Sequence, residues 1–269
     1  MEQQLKIYVN IPGYRYAGLM SYFVQVVSNL NVIKNTSNKM YIKFDENMRY
    51  QDLRYGKNVW DYYFKQPFNF SSAEVEAAVK IKDVWFEGNL SIPPRLTPSV
   101  IQDSGEIIKT YIQLKSHVQE KIEQFLKDNT QPSDKILAVH KRGTDHIHDA
   151  PLLDTQVYIR CIDEYIESYD KLLLCTDEEY IIDEFKQRYG DKLIYYSSIR
   201  ATENNNIGIH QSIGLSDPYK MGEDVIIETY LMARSDFLIK TVSNVSNAAV
   251  LINPTLKYVE IDAHVAYNC

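Results

Sequence analysis

Much that would open a function class is scarce or missing in this sequence. There are three cysteines, Cys161, Cys175 and Cys269, an odd count without the spacing of a metal-ligand cluster, which predicts reduced thiols rather than a disulfide framework. No apolar run approaches the roughly 20 residues that span a bilayer, and Met1 to Lys6 lacks the basic and apolar regions of a secretory leader. The expectation is a soluble, cytoplasmic protein with no membrane span. Basic charge is also short. A formal net charge of -7 leaves no concentrated cationic surface to neutralise nucleic-acid phosphates, although a local pocket for one small anion is compatible with it. No Gly-x-x-x-x-Gly-Lys-Ser/Thr loop occurs, which argues against a generic nucleotide hydrolase, and Gly13 and Gly18 do not form the fingerprint of a nicotinamide dinucleotide site.

What is present is an ordinary globular composition. With 269 residues, 45% of them hydrophobic, the chain can form one large domain or two smaller ones with sizeable cores. Leu5 to Ile11 predicts a strand, followed by a turn through Pro12 and Gly13, a helix over Leu19 to Ile33 and a short strand over Met40 to Phe44, the opening of a doubly wound domain. Aromatic residues crowd the next stretch, Trp60-Asp61-Tyr62-Tyr63-Phe64 among them. Buried, they are core; exposed, they are surfaces on which a sugar ring stacks, and the sequence does not separate the two. Val84-Trp85-Phe86 reads as another short strand, and one or two helices follow between Pro98 and Asp128.

Asn129 to Ser133 gathers helix breakers and polar residues, and reads as a linker between halves spanning 1–130 and 131–269. The second half alternates cleanly. Strands are expected at Ile136 to Val139, Lys171 to Cys175, Lys192 to Tyr196 and Asp236 to Lys240. Helices are expected at Thr155 to Ser168, Glu178 to Tyr189, Glu223 to Arg234 and Val245 to Leu251. Four strands separated by helices predict a mainly parallel sheet, in which ligands bind beyond the carboxyl ends of the strands.

Three such ends carry candidate chemistry. The first is His140-Lys141-Arg142-Gly143-Thr144-Asp145, where an arginine can hold two phosphate oxygens and the adjacent glycine lets backbone approach a ligand; the plain alternative is a surface turn with an Arg–Asp ion pair. The second is Thr176-Asp177-Glu178-Glu179, which also fits ordinary capping of the next helix. The third is Thr241-Val242-Ser243-Asn244-Val245-Ser246-Asn247, whose hydroxyls, amides and free backbone N–H groups at a helix start suit a diphosphate. Three ends together, one bearing Arg142, point to an anion site.

The segments VHKRGTDH (139–146), LLLCTDEE (172–179) and GEDVIIETYLMARSDFLIKTVSNVSNAA (222–249), in this order and spacing, resemble the donor-binding half of the GDP-fucose-dependent fucosyltransferases related to α1,6-fucosyltransferase and the rhizobial nodulation fucosyltransferase. The likeness runs from about Ile136 to Ala249. It implies a GT-B glycosyltransferase: an α/β fold of two Rossmann-like domains facing a cleft, with an acceptor-side domain over 1–130 and a nucleotide-sugar domain over 131–269. It implies an inverting, metal-independent transfer of fucose from GDP-fucose to a hydroxyl of a carbohydrate acceptor, with no cofactor. By the same resemblance His140 matches the family's histidine and Arg142 the arginine on the donor diphosphate. Asp177 follows the third-strand threonine, here Thr176, Glu228 stands where an aspartate binds the guanine side, and Ser243 and Asn244 occupy a phosphate-contacting serine pair. Gly143 replaces a second arginine and Asn244 a serine, departures that bear on donor orientation. Thr241, Ser246 and Gly13 complete the expected donor-binding set.

Elementary chemistry agrees with that outline. Negative charge builds on the leaving diphosphate during transfer, and a fixed guanidinium with a helix N-terminus stabilises it. No Asp-x-Asp triplet occurs, so the metal–diphosphate bridge of the other large glycosyltransferase architecture lacks its carboxylates. The acceptor hydroxyl needs a base, for which Asp145, His146, His148 and Asp149 cluster after Arg142. Asp149 lies near the position of a proposed catalytic glutamate in relatives, whereas Asp145 can equally serve to orient Arg142. The choice among them stays open. The competing readings are a transferase of the same fold using another nucleotide sugar, and a catalytically degenerate protein that binds nucleotide or glycan.

Overall fold

The structure is a computed structural model and describes residues 7–11, 17–44, 48–82, 93–143, 153–202 and 217–261. It begins with β1 (Ile7–Ile11), α1 (Leu19–Ile33) and β2 (Lys39–Ile42), then α2 (Trp60–Tyr63), α3 (Ser72–Ala77), β3 (Val79–Lys82), α4 (Pro98–Tyr111) and α5 (Ser116–Asn129). It continues with β4 (Ile136–Lys141), α6 (Thr155–Tyr165), β5 (Lys171–Thr176), α7 (Ile182–Tyr189) and β6 (Leu193–Ile194), and closes with α8 (Pro218–Ala233), β7 (Phe237–Lys240), α9 (Asn244–Ile252) and β8 (Lys257–Glu260). Strands β2-β1-β3 form a three-stranded sheet and β6-β5-β4-β7-β8 a five-stranded one. All the pairings between these strands are parallel.

The order of the larger sheet places its first strand, β4, in the middle, with β5 and β6 running out one way and β7 and β8 the other. That is the doubly wound order, and its reversal point lies between β4 and β7. Sequence dictates this burial. Ile136 to Lys141 is buried at every position, as a strand covered on both faces must be. Leu137 and Val139 join Leu172, Leu174 and Ile239 under α6 and α7. Ile136 and Ala138, one residue out of phase, join Leu173 and Leu238 in the core on the opposite face with α8 and α9. That second core also takes in α1, β2 and α2, with Trp60, Tyr62, Tyr63 and Phe64 all buried. The aromatic run at 60–64 is therefore core; the exposed aromatic of that region is Tyr55.

Local chemistry sets the helix starts. Thr97 accepts from Val100 N at 3.3 Å ahead of Pro98, and Asp217 accepts from Lys220 N at 3.0 Å ahead of Pro218. Such caps satisfy orphan N–H groups while proline at N1 needs no partner. Helices α1 and α4 pack on α9, and α5 packs on α8. Tyr63 OH donates to Tyr219 O at 2.7 Å and Asn247 Nδ2 to Pro94 O at 2.9 Å across the same junction.

Four sequence expectations meet the structure differently. The sheet of the second half has a further strand, β8, and β6 is cut to Leu193–Ile194. The acids at 177–179 do not cap α7, whose N-cap residue Ile181 makes no side-chain bond; they are used in tertiary contacts instead. Cys161 is disulfide-bonded, while Cys175 is a buried free thiol. Pairing follows which sulfurs the fold brings together, and an odd count does not forbid it. The strand expected at Val84-Trp85-Phe86 lies outside the described residues. Among the described residues no helix is long and apolar enough to cross a membrane.

Candidate nucleotide-sugar site

The reversal point between β4 and β7 is where the candidate residues gather. The register of these strands ends with His140 opposite Lys240, so the chain opens on either side from Arg142 and Thr241 onward. Arg142 Nη1 reaches across the opening to donate to Ser243 Oγ at 3.4 Å. Ser243 is the N-cap of α9 and its Oγ also accepts from Val245 N at 3.3 Å. A guanidinium and the positive end of a helix thus converge on one spot, the electrostatic arrangement that favours a phosphate. Asn244 opens α9, and its Oδ1 is buried with no hydrogen-bond partner among the described residues. Ser246 is fully buried and donates to Thr241 O at 3.0 Å, so it closes the turn from within.

The turn after β4 is held from the β5 side. Gly143 N donates to Asp177 Oδ1 at 3.0 Å. Lys141 and Glu178, both buried, form an ion pair, and Tyr180 OH donates to the same carboxylate. Glu178 N in turn donates to Thr176 Oγ1 at 3.2 Å. The absence of a side chain at residue 143 has a direct cause. A Cβ there would lie 2.0 Å from Glu178 Cδ, so the carboxylate fills the space that an arginine would need. The charge of Lys141 is spent on Glu178, whereas the Arg142 guanidinium spans the opening to Ser243.

Farther along β5, Glu228 of α8 is buried and its carboxyl is pushed up to about 7, first by desolvation and against the pull of the Arg200 guanidinium. Ser198 Oγ donates to Glu228 Oε1 at 2.6 Å and Arg200 Nη2 donates to the same oxygen at 3.3 Å. Arg200 also donates to Thr176 O at 3.1 Å and Ser198 O at 3.3 Å, fastening the segment after β6 to the end of β5. His140 is buried on the same face of the sheet as Cys175, its register partner in β5.

The structure therefore brings together Arg142, Gly143, Thr176, Asp177, Thr241, Ser243, Asn244 and Ser246 at adjoining strand ends, with His140 beneath them. Glu228 sits on the neighbouring helix behind β5. Gly13 and the candidate bases Asp145, His146, His148 and Asp149 lie outside the described residues. Sequence reasoning missed Lys141, Tyr158, Glu178 and Arg200. Lys141 and Glu178 sat inside quoted motifs but look like solvated charges until the fold buries them. Tyr158 carried no signal beyond the apolar period of α6, and Arg200 stands in no motif. Among the described residues no cluster of three or more His, Cys, Asp or Glu side chains is arranged to hold a metal ion.

No protein-family model matches the chain, and no curated protein matches it. Solved structures do. A NodZ α-1,6-fucosyltransferase co-crystallised with GDP is similar over 97% of this chain and 96% of its own, with TM-score 0.57 and 14% identity; NodZ from Bradyrhizobium is similar at TM-score 0.56 and 14% identity, over 97% of this chain and 98% of its own. POFUT1 in complex with GDP is similar over 95% of this chain and 98% of its own, at TM-score 0.56 and 11% identity. A mutant of FUT1 from Arabidopsis thaliana in complex with GDP is similar over 97% of this chain and 72% of its own, at TM-score 0.58 and 10% identity. The chain thus has the α/β fold, built on parallel sheets, of the GT-B fucosyltransferases.

Proposed function

We propose that this protein is a glycosyltransferase that moves fucose from GDP-fucose to a hydroxyl of a carbohydrate acceptor. The observation that carries this reading is the convergence of Arg142 and the N-terminus of α9 on one spot at the sheet reversal, 3.4 Å separating Arg142 Nη1 from Ser243 Oγ. In the transfer, the bond between the sugar C1 and the diphosphate oxygen breaks as the acceptor oxygen bonds to C1, and negative charge accumulates on the leaving diphosphate. A guanidinium and a helix start fixed before the reaction stabilise that charge without reorganising. Residues 131–269 supply the donor side and 1–130 the acceptor side in this reading. Attack opposite the leaving group makes the transfer inverting, and neutralisation by Arg142 with the α9 N–H groups makes it metal-independent. The base that takes the acceptor proton belongs to the group Asp145, His146, His148 and Asp149.

Glu228 favours a second reading, the same chemistry with a different nucleotide sugar. Its Oε1 is already taken by Ser198 and Arg200, so base recognition through this acid differs from what the resemblance implies. Thermal shifts with a panel of nucleotide sugars separate the two, because a ligand raises stability according to its concentration over its affinity. A shift greatest for GDP-fucose, with transfer lost in Arg142→Ala at an unchanged unfolding temperature, supports the fucosyl reading. Near-normal turnover by that variant overturns it.

A further inference from the structure

Tyr158 is buried in the first turns of α6, 1% exposed, and its ring packs among the apolar side chains under β4 and β5. A phenol hydroxyl in such a place is costly unless it is bonded. Here it donates to Thr241 Oγ1 at 3.4 Å, and the backbone N–H of Arg142 lies on its other side, close enough to lower its pKa against the effect of burial. Burial pushes its pKa up to about 12, so the hydroxyl keeps its proton and remains a donor.

The two partners of this hydroxyl are the residues that follow β4 and β7. The register between those strands ends at His140 and Lys240, two residues before Arg142 and one before Thr241. Beyond that pair the strands diverge to form the opening, and a side chain takes over where their pairing stops. Tyr158 comes from α6 beneath the sheet and reaches both. The Lys141 ammonium lies 5.8 Å from its ring centroid, so the ring is itself fixed by the buried Lys141–Glu178 pair. On the ligand side, Arg142 Nη1 spans the same opening to Ser243.

We propose that Tyr158 is the positioning residue for Arg142: its hydroxyl sets the distance between the Arg142 backbone and the β7–α9 turn, so that the guanidinium and the α9 N-terminus address the same anion. The inference rests on the reading of Arg142 as a diphosphate ligand. It assigns a binding role to a residue that would never touch the nucleotide.

The test is GDP binding by calorimetry to the full chain carrying Tyr158→Phe, which keeps the ring and removes only the hydroxyl. The dissociation constant is expected to rise about tenfold, the effect of one well-placed hydrogen bond. Tyr230→Phe, which removes another largely buried phenol on α8, should leave GDP binding unchanged. The same Tyr158→Phe change made in an Arg142→Ala background, followed by phosphorus NMR at millimolar GDP, should cost less than about twofold, since a positioning residue has no effect once the group it positions is gone. The crystal structure of Tyr158→Phe should show the Arg142 guanidinium parted from Ser243. Wild-type GDP affinity in Tyr158→Phe, an equal loss in both backgrounds, or an Arg142 still seated on Ser243 each overturns the inference while leaving the proposed function standing. Absence of GDP binding by the wild-type chain overturns the proposed function and this inference with it.

Discussion

Replacing Gly143 by alanine is the sharpest perturbation of the turn that presents Arg142. The added Cβ would fall 2.0 Å from Glu178 Cδ and 2.1 and 2.2 Å from its two oxygens. A carboxylate at the end of a flexible side chain normally yields cheaply, but Glu178 is 4% exposed and held by Lys141 and Tyr180. If it retreats, the buried Lys141 ammonium loses its partner, at about 3–5 kcal/mol; if the backbone yields instead, overpacking costs about 1–3 kcal/mol. The cheaper route sets the outcome, so the expected loss is about 2 kcal/mol, or roughly 4–8 °C in unfolding temperature for a chain of this size. Backbone movement also breaks the bond from Gly143 N to Asp177, 3.0 Å long, and displaces Arg142, so GDP affinity falls together with stability. Thermal unfolding by circular dichroism with and without GDP measures both. The decisive control is Glu178→Ala: once the carboxylate is gone, Gly143→Ala should add less than about 0.5 kcal/mol. A Gly143→Ala variant as stable as wild type, or one whose cost is the same with and without Glu178, refutes the reasoning.

Glu178→Gln should destabilise the protein by about 3 kcal/mol in urea unfolding, because it leaves a buried lysine uncompensated, whereas Lys141→Met with Glu178→Leu together should cost much less. Gly222→Ala should cost about 1–3 kcal/mol by the same assay, because a Cβ would stand 2.3 Å from the hydroxyl of buried Tyr63. Glu228 has its folded pKa raised to about 7 from 4.5, so the native state holds a proton that the unfolded chain releases between those values. Its contribution is full below 4.5 and is lost as pH rises through 7, by about 3 kcal/mol in all. The stability difference between wild type and Glu228→Gln, measured from pH 4.5 to 7.5, should therefore grow in favour of the glutamine variant; a difference that is flat across this range contradicts it.

The parts of the fold legible in the sequence are those where pattern and burial coincide. Leu19–Ile33 was readable to the residue because apolar residues recur at helical spacing along its whole length, and the fold buries the helix almost all round. The strands beginning at Ile136, Lys171 and Phe237 were readable as apolar runs with polar ends. β8 was not, since Lys257–Glu260 is an edge strand whose residues are exposed or half-buried, with no apolar run to mark it. The tertiary use of the acids ahead of α7 was not legible for a related reason. Thr176-Asp177-Glu178 has the composition of a cap, but Asp177 bonds Gly143 and Glu178 bonds Lys141, contacts that exist only once β4 and β5 lie side by side. The same holds for the site. Arg142 and Ser243 stood out because their residue types suit an anion, while Tyr158 and Arg200, which act through other residues, left no mark on a linear reading.

The most direct measurement of the central claim is a crystal structure of the full chain with GDP. The account predicts the diphosphate at the reversal between β4 and β7, with its oxygens within hydrogen-bond distance of the Arg142 guanidinium and of Ser243 or the first N–H groups of α9. A nucleotide bound elsewhere, or one whose phosphates make no contact with Arg142, contradicts it.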